Sequence, residues 1–246
     1  MRIPKSHPRY ESLMIREKLV QGFRDGFVVP EGLIAHGRGE AFDYLVGEKT
    51  MPASEKAEKT ASAYLLKAKK PVISVNGNTA ALVRDDIINL SKIVPAKIEI
   101  NLFHRTDERI KKIVEIFKGT DVLGGRPDAR IPGLEHHRGL CCKEGIFSAD
   151  VVLVMLEDGD RVKALSDMNK TVIAIDLNPL SRTALTANVT VVDNVTRALK
   201  NIIKFCEKLK NNKAEIEETI KKFDNKGNID EALKYISKRL EDLVVV

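Results

Sequence analysis

The stretch ADVVLVMLEDGDRVKALSDMNKTVIAIDLNP, Ala149 to Pro179, decides the fold. Its two ends, Ala149–Leu156 and Thr171–Pro179, are β-branched apolar runs that do not alternate with polar residues. A strand with one wet face alternates, so each run reads as a strand buried on both faces. Between them Asp160–Asn169 is charged and of helix length. The pattern continues outward. PVISVNGN (Pro71–Asn78), AKIEINL (Ala96–Leu102) and NVTVVDN (Asn188–Asn194) are further short runs that stop at polar, Gly or Pro residues. Thr79–Ile93, Thr106–Lys118 and Thr196–Lys210 supply the intervening helices. The expected fold class is α/β, a parallel sheet with helices on both faces. Ligands in such sheets sit outside the carboxyl ends of the strands.

Two helical regions flank this core. Residues 1–69 form an N-terminal helical segment, residues 70–200 the α/β core, and residues 201–246 C-terminal helices, together one domain. In the first region Leu13, Arg16, Val20 and Phe23 share a helix face. Pro30 marks a restart, and a third helix is expected over Ala53–Ala68. The core carries a loop-rich insertion, residues 119–148, of a length that is functional or disordered. The lysine- and glutamate-rich tail reads as solvated helices with one apolar stripe, packed on the body or on a partner subunit.

The chain has 246 residues, 43% of them hydrophobic, enough for a substantial core. A net charge of +6 suits an anionic partner, and with no basic run interleaved with aromatics a phosphorylated metabolite fits better than nucleic acid. Three cysteines, Cys141, Cys142 and Cys206, make no disulfide framework and fit a reducing cytoplasm. No signal peptide and no membrane span are expected.

The chemistry-bearing residues fall at the ends of the expected strands and in the helix GLIAHGRGEAFDYLVGE (Gly32–Glu48). There Ile34, Arg38, Ala41 and Leu45 share a face, which puts Arg38 in a stripe expected to turn inward, as Arg16 does on the preceding helix. A buried guanidinium needs a carboxylate or a phosphate. Glu17, Glu40 or Asp43 would make these arginines structural; convergence on phosphates would make them functional. Gly37 and Gly39 favour phosphates, because missing Cβ atoms admit a ligand close to the backbone. The turn Gly77, Asn78, Thr79 opens a helix whose free N–H groups suit an anion, with Thr79 as a cap. Asp176 ends a strand where a carboxylate can accept ribose hydroxyls, followed by Ser181, Arg182 and Thr183. Asp193 and Asn194 repeat the arrangement, or simply cap a helix. In the insertion, Arg126, Asp128, Arg130, His136, His137 and Arg138 suit a phosphorylated substrate or a lid. His136, His137, Cys141 and Cys142 do not have structural zinc spacing, so no metal-ligating set is assigned.

Together, IPKSHPRYESLMIREKLVQGFRDGFVVPEGLIAHGRGEAFDYLVGE, GLEHHRG and DLNPLSRTA…VVDNVTRA resemble the archaeal phosphopantothenate synthetases, the 4-phosphopantoate–β-alanine ligases, over the chain to about Lys200. That resemblance implies a homodimer with a Rossmann-like core in archaeal coenzyme A synthesis. It implies that ATP, 4-phosphopantoate and β-alanine give AMP, pyrophosphate and 4-phosphopantothenate, with Mg²⁺ on the phosphates. The family's ATP positions map onto Arg16, Arg38, Asp176, Leu177, Asn178, Arg182, Thr183, Asn194 and Val195. Arg16, Arg38 and His136 are the expected catalytic side chains. Gly77, Asn78, Thr79, Arg126, Arg130, His137 and Arg138 are expected to hold 4-phosphopantoate. The rival is a non-catalytic ADP- or NAD-binding sensor, since Val172–Leu199 also resembles the nucleotide-binding middle domain of thiamine-diphosphate enzymes.

Overall fold

A computed structural model describes residues 3–244, the side chains of His136 and Val244 apart. Three helices come first: α1 (Tyr10–Arg24), α2 (Pro30–Val46) and α3 (Pro52–Lys67). Proline opens both α2 and α3, where its missing N–H is no loss. α2 stops at Gly47, whose φ of +85° is a left-handed conformation that glycine adopts without strain.

The alternating core follows as β1 (Pro71–Val75), α4 (Gly77–Ile93), β2 (Lys97–Ile100), α5 (Asp107–Ile116) and β3 (Val122–Leu123). An antiparallel pair, β4 (Ala129–Arg130) and β5 (Leu140–Cys141), precedes β6 (Val151–Met155), α6 (Gly159–Asp167) and β7 (Thr171–Ile175). Then come α7 (Arg182–Thr186), β8 (Val189–Val191), α8 (Val195–Leu209), α9 (Lys213–Lys222) and α10 (Asn225–Val244). The sheet is parallel throughout, in the order β3-β2-β1-β6-β7-β8. Its order reverses between β1 and β6, which creates a crevice at their carboxyl ends.

Side-chain alternation divides the core between the sheet's two faces. Ile73, Val75, Leu153, Met155, Ile173 and Ile175 meet α1, α3, α4, α5 and α8 on one side. Val72, Val152, Val154, Val172 and Ala174 meet α6 and the 119–148 segment on the other. The inward face of α1 is Ile15, Leu19 and Gly22, not the expected Leu13–Phe23 stripe, and Phe23 is exposed. Both stripes have helical spacing, and the more apolar one is buried.

The 119–148 segment is more ordered than a loop insertion. Val122–Leu123 pairs with β2 and forms the sheet's edge, a strand too short to show any period in the sequence. Ile131, Leu134, Cys141 and Ile146 belong to the second core. Buried Glu99 on β2 anchors the segment: its Oε1 accepts the Cys142 N–H at 2.9 Å and its Oε2 the Ile146 N–H at 2.7 Å. The tail packs on the body. Asn225 at the start of α10 accepts the Thr190 N–H of edge strand β8 at 2.7 Å and donates to the Ala187 carbonyl at 2.9 Å. Those bonds satisfy backbone groups that an open edge would leave unpaired. No helix among the described residues is long and apolar enough to cross a membrane.

Gly145 lies against the Glu99 carboxylate, and a Cβ there would collide with Oε2 and stand 2.9 Å from Leu123 Cδ1. Gly145→Ala is expected to lower stability by about 1–3 kcal/mol through overpacking, read as a fall in urea midpoint at unchanged slope.

Candidate active site

The roof of the crevice is α2, laid across the strand ends. Asn78, after β1, donates to the Gly32 carbonyl at 2.8 Å. A Cβ on Gly39 would stand 3.8 Å from Leu177 Cδ1, after β7. Asn194, after β8, donates to Asp43 Oδ2 at 2.9 Å. From Gly32 to Gly39 the helix advances roughly 10.5 Å. Two strand spacings, β1 to β6 to β7, come to roughly 9.6 Å. One turn of α2 therefore keeps step with about one strand. A Cβ on Gly32 would run into Asn78 Oδ1, so the Asn78 amide would have to move.

One fixed joint holds the far end of this roof. Asp43 and Asp193 are buried and share the Arg197 guanidinium, with closest approaches of 2.5 Å on both sides. Thr50 donates to the other Asp193 oxygen at 2.6 Å. Beneath lies Glu58, wholly buried, with Asp193 and Asn201 as its polar neighbours. Burial, and then the Asp193 charge, push its carboxyl up to about 9, so it is held as the neutral acid near pH 7.

Between α2 and the strand ends lies a cavity of about 770 Å³, within the usual range for small-molecule sites. Its walls come from every strand end near the switch point. Arg38, Asp176, Leu177, Asn178, Arg182, Thr183, Asn194 and Val195 all line it, as do Gly77 and Asn78. Asp176 accepts Ser181 Oγ at 2.5 Å and the Asn178 N–H at 2.9 Å. Burial raises its carboxyl above the ordinary range, against those bonds and the nearby Arg38 charge. Arg38 itself has no hydrogen-bond or salt-bridge partner among the described residues. It is exposed, and so are Ile34 and Ala41. The stripe expected to turn inward is therefore not buried, although Arg38 and Ala41 on it border the cavity. The buried side of α2 carries Asp43 and Val46, a polar contact that hydrophobic spacing cannot register.

Gly37 and Gly39 play lesser parts than expected: a Cβ on Gly37 meets nothing within 4 Å, and one on Gly39 makes ordinary contact. Arg16 is absent from the cavity wall. Glu40 holds its Nε and Nη2, the latter at 2.7 Å, and Tyr44 is a further polar neighbour. Thr79 is fully buried and closes a capping box with Asn76, which is the true N-cap of α4. Asn76 also ties the β1 end to the Met155 carbonyl at 2.9 Å.

The insertion's basic residues divide. Arg126, Arg130 and His137 do not line the cavity. Arg138 reaches its rim indirectly, stacking 4.4 Å over the Phe103 ring and binding Asp158 Oδ1 at 2.6 Å. The side chain of His136 lies outside the described residues. Burial pushes the Cys141 thiol up to about 12 and raises Cys142 as well, so neither is a ready thiolate. No cluster of three or more His, Cys, Asp or Glu suited to a metal occurs among the described residues.

Sequence reasoning missed the wall residues His36, Asn101–His104, Arg109 and Leu156–Gly159. For Glu157 and Asp158 a signal existed, since they are polar residues between an apolar strand and a helix, as at Asp176. Arg109, whose donors go to the Phe27 and His104 carbonyls, had none.

A parallel α/β sheet of this order, with a cavity at its switch point and the Arg38 side chain unpaired on its wall among the described residues, has the form of a small-molecule site outside the strand ends. The chain belongs to the phosphopantothenate/pantothenate synthetase family, whose model matches residues 53–239. It is 55% identical to the 4-phosphopantoate–β-alanine ligase of Methanospirillum hungatei, over 97% of this chain and 98% of that one. It is 51% identical to the ligase of the same name from Methanosarcina mazei, over 98% and 96% of the two chains. Against the one from Thermococcus onnurineus the identity is 50%, over 99% and 95%.

Glu58 gives a test of the joint beneath the roof. Its carboxyl titrates higher in the folded chain than in the unfolded one, so its contribution is fully present below the unfolded value, near pH 4.5, and lost as pH rises to about 9. Glu58→Gln is expected to flatten the decline in melting temperature across that window. It should melt above wild type at pH 9 and within a few degrees of it at pH 5.

Proposed function

We propose that this chain joins 4-phosphopantoate to β-alanine with ATP, giving 4-phosphopantothenate, AMP and pyrophosphate through an acyl-adenylate. The observation that supports it most directly is the cavity, which continues from a nucleotide-suited half at β7 and β8 to an anion-suited half at β1 and β2. A carboxylate is a poor acyl donor. In the first step its oxygen attacks the α-phosphorus of ATP and pyrophosphate leaves with the bonding pair. In the second, the neutral β-alanine amine attacks the acyl carbon, the bond from that carbon to the AMP oxygen breaks, AMP leaves, and the nitrogen releases a proton to water.

Each half has side chains suited to its part. Asp176 accepts the ribose hydroxyls, and Leu177, Asn178, Asn194 and Val195 enclose the adenosine. Arg182 and Thr183 border the phosphates; Arg182 is exposed and already holds Asp160 at 2.7 Å, so it swings from carboxylate to phosphate. Arg38 neutralises the charge that grows on pyrophosphate as it departs, the step where a fixed donor lowers the barrier most. Arg16, held by Glu40 outside the cavity wall, adds positive charge from the neighbouring helix. The 4-phosphopantoate phosphate meets the α4 N-terminus at Gly77 and Asn78, with the Arg109 cation beside it. Mg²⁺ fits this site as an ion carried on the phosphate oxygens, where it would spread their charge; it needs no cage of protein carboxylates. The working enzyme is a cytoplasmic homodimer, for which exposed Ile34, Leu180 and Leu185 offer apolar surface to a second copy.

Purified protein should release AMP and pyrophosphate in step with amide formation, and only with all three substrates present. A chain that binds ATP but forms no AMP would be a sensor rather than a ligase. Arg38→Ala should lower kcat/KM about a hundredfold or more while the melting temperature stays put. Wild-type turnover in that variant would remove Arg38 from the reaction. Equal turnover on unphosphorylated pantoate would remove the phosphate contact at Gly77 and Asn78.

A further inference from the structure

One apolar side chain on the cavity wall has no part in the steps above. Phe103, in the segment after β2, is 50% exposed. Of the exposed large hydrophobic side chains among the described residues, it alone lines the cavity. Single hydrophobics on an outer surface need no explanation, but a phenyl ring kept on the wall of a small-molecule site marks apolar ligand surface. Leu82 and Leu102 add apolar wall to the same half of the cavity.

Arg138 sets the place of the ring. Its guanidinium carbon stands 4.4 Å from the ring centroid, and the same guanidinium donates to Asp158 Oδ1 at 2.6 Å. Phe103 follows β2 and Asp158 follows β6, with β1 between them, a span of roughly 9.6 Å for two strand spacings. Ring and guanidinium together therefore bridge the end of β1, where α4 begins. The His104 ring lies beside the phenyl group, 4.8 Å between centroids and tilted by 58°. A cation on one face and a tilted ring beside it hold the phenyl group in place while half of the residue stays open. The adenosine half of the cavity, at β7 and β8, is three or more strand spacings from β2, roughly 14 Å.

4-Phosphopantoate carries two methyl groups on a carbon between its phosphate ester and its carboxylate. With its phosphate at the start of α4 and its carboxylate turned toward β7, that carbon lies over the ends of β1 and β6, beside the ring. Resting on that reading, we propose that Phe103 packs against the paired methyl groups and is the side chain that selects the branched acid over an unbranched one. The recognised class is a short phosphorylated hydroxy acid with a quaternary carbon. An acid without the methyl groups leaves a gap against a ring that is held and cannot follow it, and contacts across such a gap are forfeited. Phe103 thus determines specificity and takes no part in proton or phosphoryl transfer.

The test compares 4-phosphopantoate with its unmethylated analogue, 2,4-dihydroxybutanoate 4-phosphate, on the full-length wild-type chain and on Phe103→Ala. Dissociation constants are measured by calorimetry with a non-hydrolysable ATP analogue present, and kcat/KM by amide formation at saturating ATP and β-alanine. Wild type is expected to prefer the methylated acid about ten- to a hundredfold, the scale on which an apolar pocket discriminates one or two carbons. Phe103→Ala is expected to bring that preference within about threefold by weakening 4-phosphopantoate while the analogue hardly changes. Phe103→Gln, long but polar, is expected to lose the preference in the same way, so the test does not depend on the alanine variant folding. A preference that survives both substitutions overturns the proposal, and so does a wild type that binds the two acids equally. An equal loss on both acids would make the ring structural and overturns it too. A raised KM for ATP with the preference intact would place adenine on the ring, with the same consequence. Wild type that binds 4-phosphopantoate with the expected preference but forms no AMP or amide would defeat the ligase reading and still support the ring contact, which keeps the two failures apart.

Discussion

Asp43, Arg197 and Asp193 form the contact on which the site depends. A parallel sheet by itself offers only an open crevice at its switch point; the chamber exists because α2 is held across it. Hydrophobic packing cannot do this alone, since the underside of α2 is largely glycine, alanine and polar residues where it passes over the cavity. A shared guanidinium between two buried carboxylates supplies the missing fixation. Breaking such a pair leaves an unanswered charge, a loss of about 3–5 kcal/mol, so the helix has one stable seat. With that end fixed, and Asn78 holding the Gly32 carbonyl at the other, the rise of the helix keeps step with the strand spacing.

The opposite face of the sheet shows a second use of a buried carboxylate. Glu99 does not pair with a cation; two backbone N–H groups of the 119–148 segment answer it instead. Burial raises its carboxyl to about 7, those two bonds opposing the shift. The segment is thereby docked against β2 and β3, which carries Arg138 to the rim beside Phe103 and Asp158. Of the insertion's described basic side chains Arg138 reaches the rim, and Arg126, Arg130 and His137 stand away from the wall.

Much of the fold was legible because its strands are buried on both faces. Ala149–Leu156 and Thr171–Pro179 have the continuous apolar character that only such strands have, and their helices follow at regular intervals. β3 escaped notice because two residues carry no period. The site was readable where a polar residue ends an apolar strand, at Asp176 and Asn194, and the same cue at Asp158 went unused. Direction on α1 and α2 was misread, since helical spacing finds a stripe without saying what lies opposite it. Arg38 is functional in prospect because it faces the cavity unpaired, not because it is buried.

Sequence alone determined the alternation of strands and helices, the likeness to the ligase family, and most of the residues at the carboxyl ends of β7 and β8. These follow from local periodicity and contiguous motifs, which neighbouring residues carry. Tertiary structure decided which face of α2 meets the sheet, that Arg16 is held by Glu40, and that Thr79 serves a cap. It also brought together Asp43 and Arg197, 154 residues apart, and Arg138 and Asp158 across two elements. Such pairings depend on where distant segments come to lie after the core has packed, and no spacing along the chain encodes that.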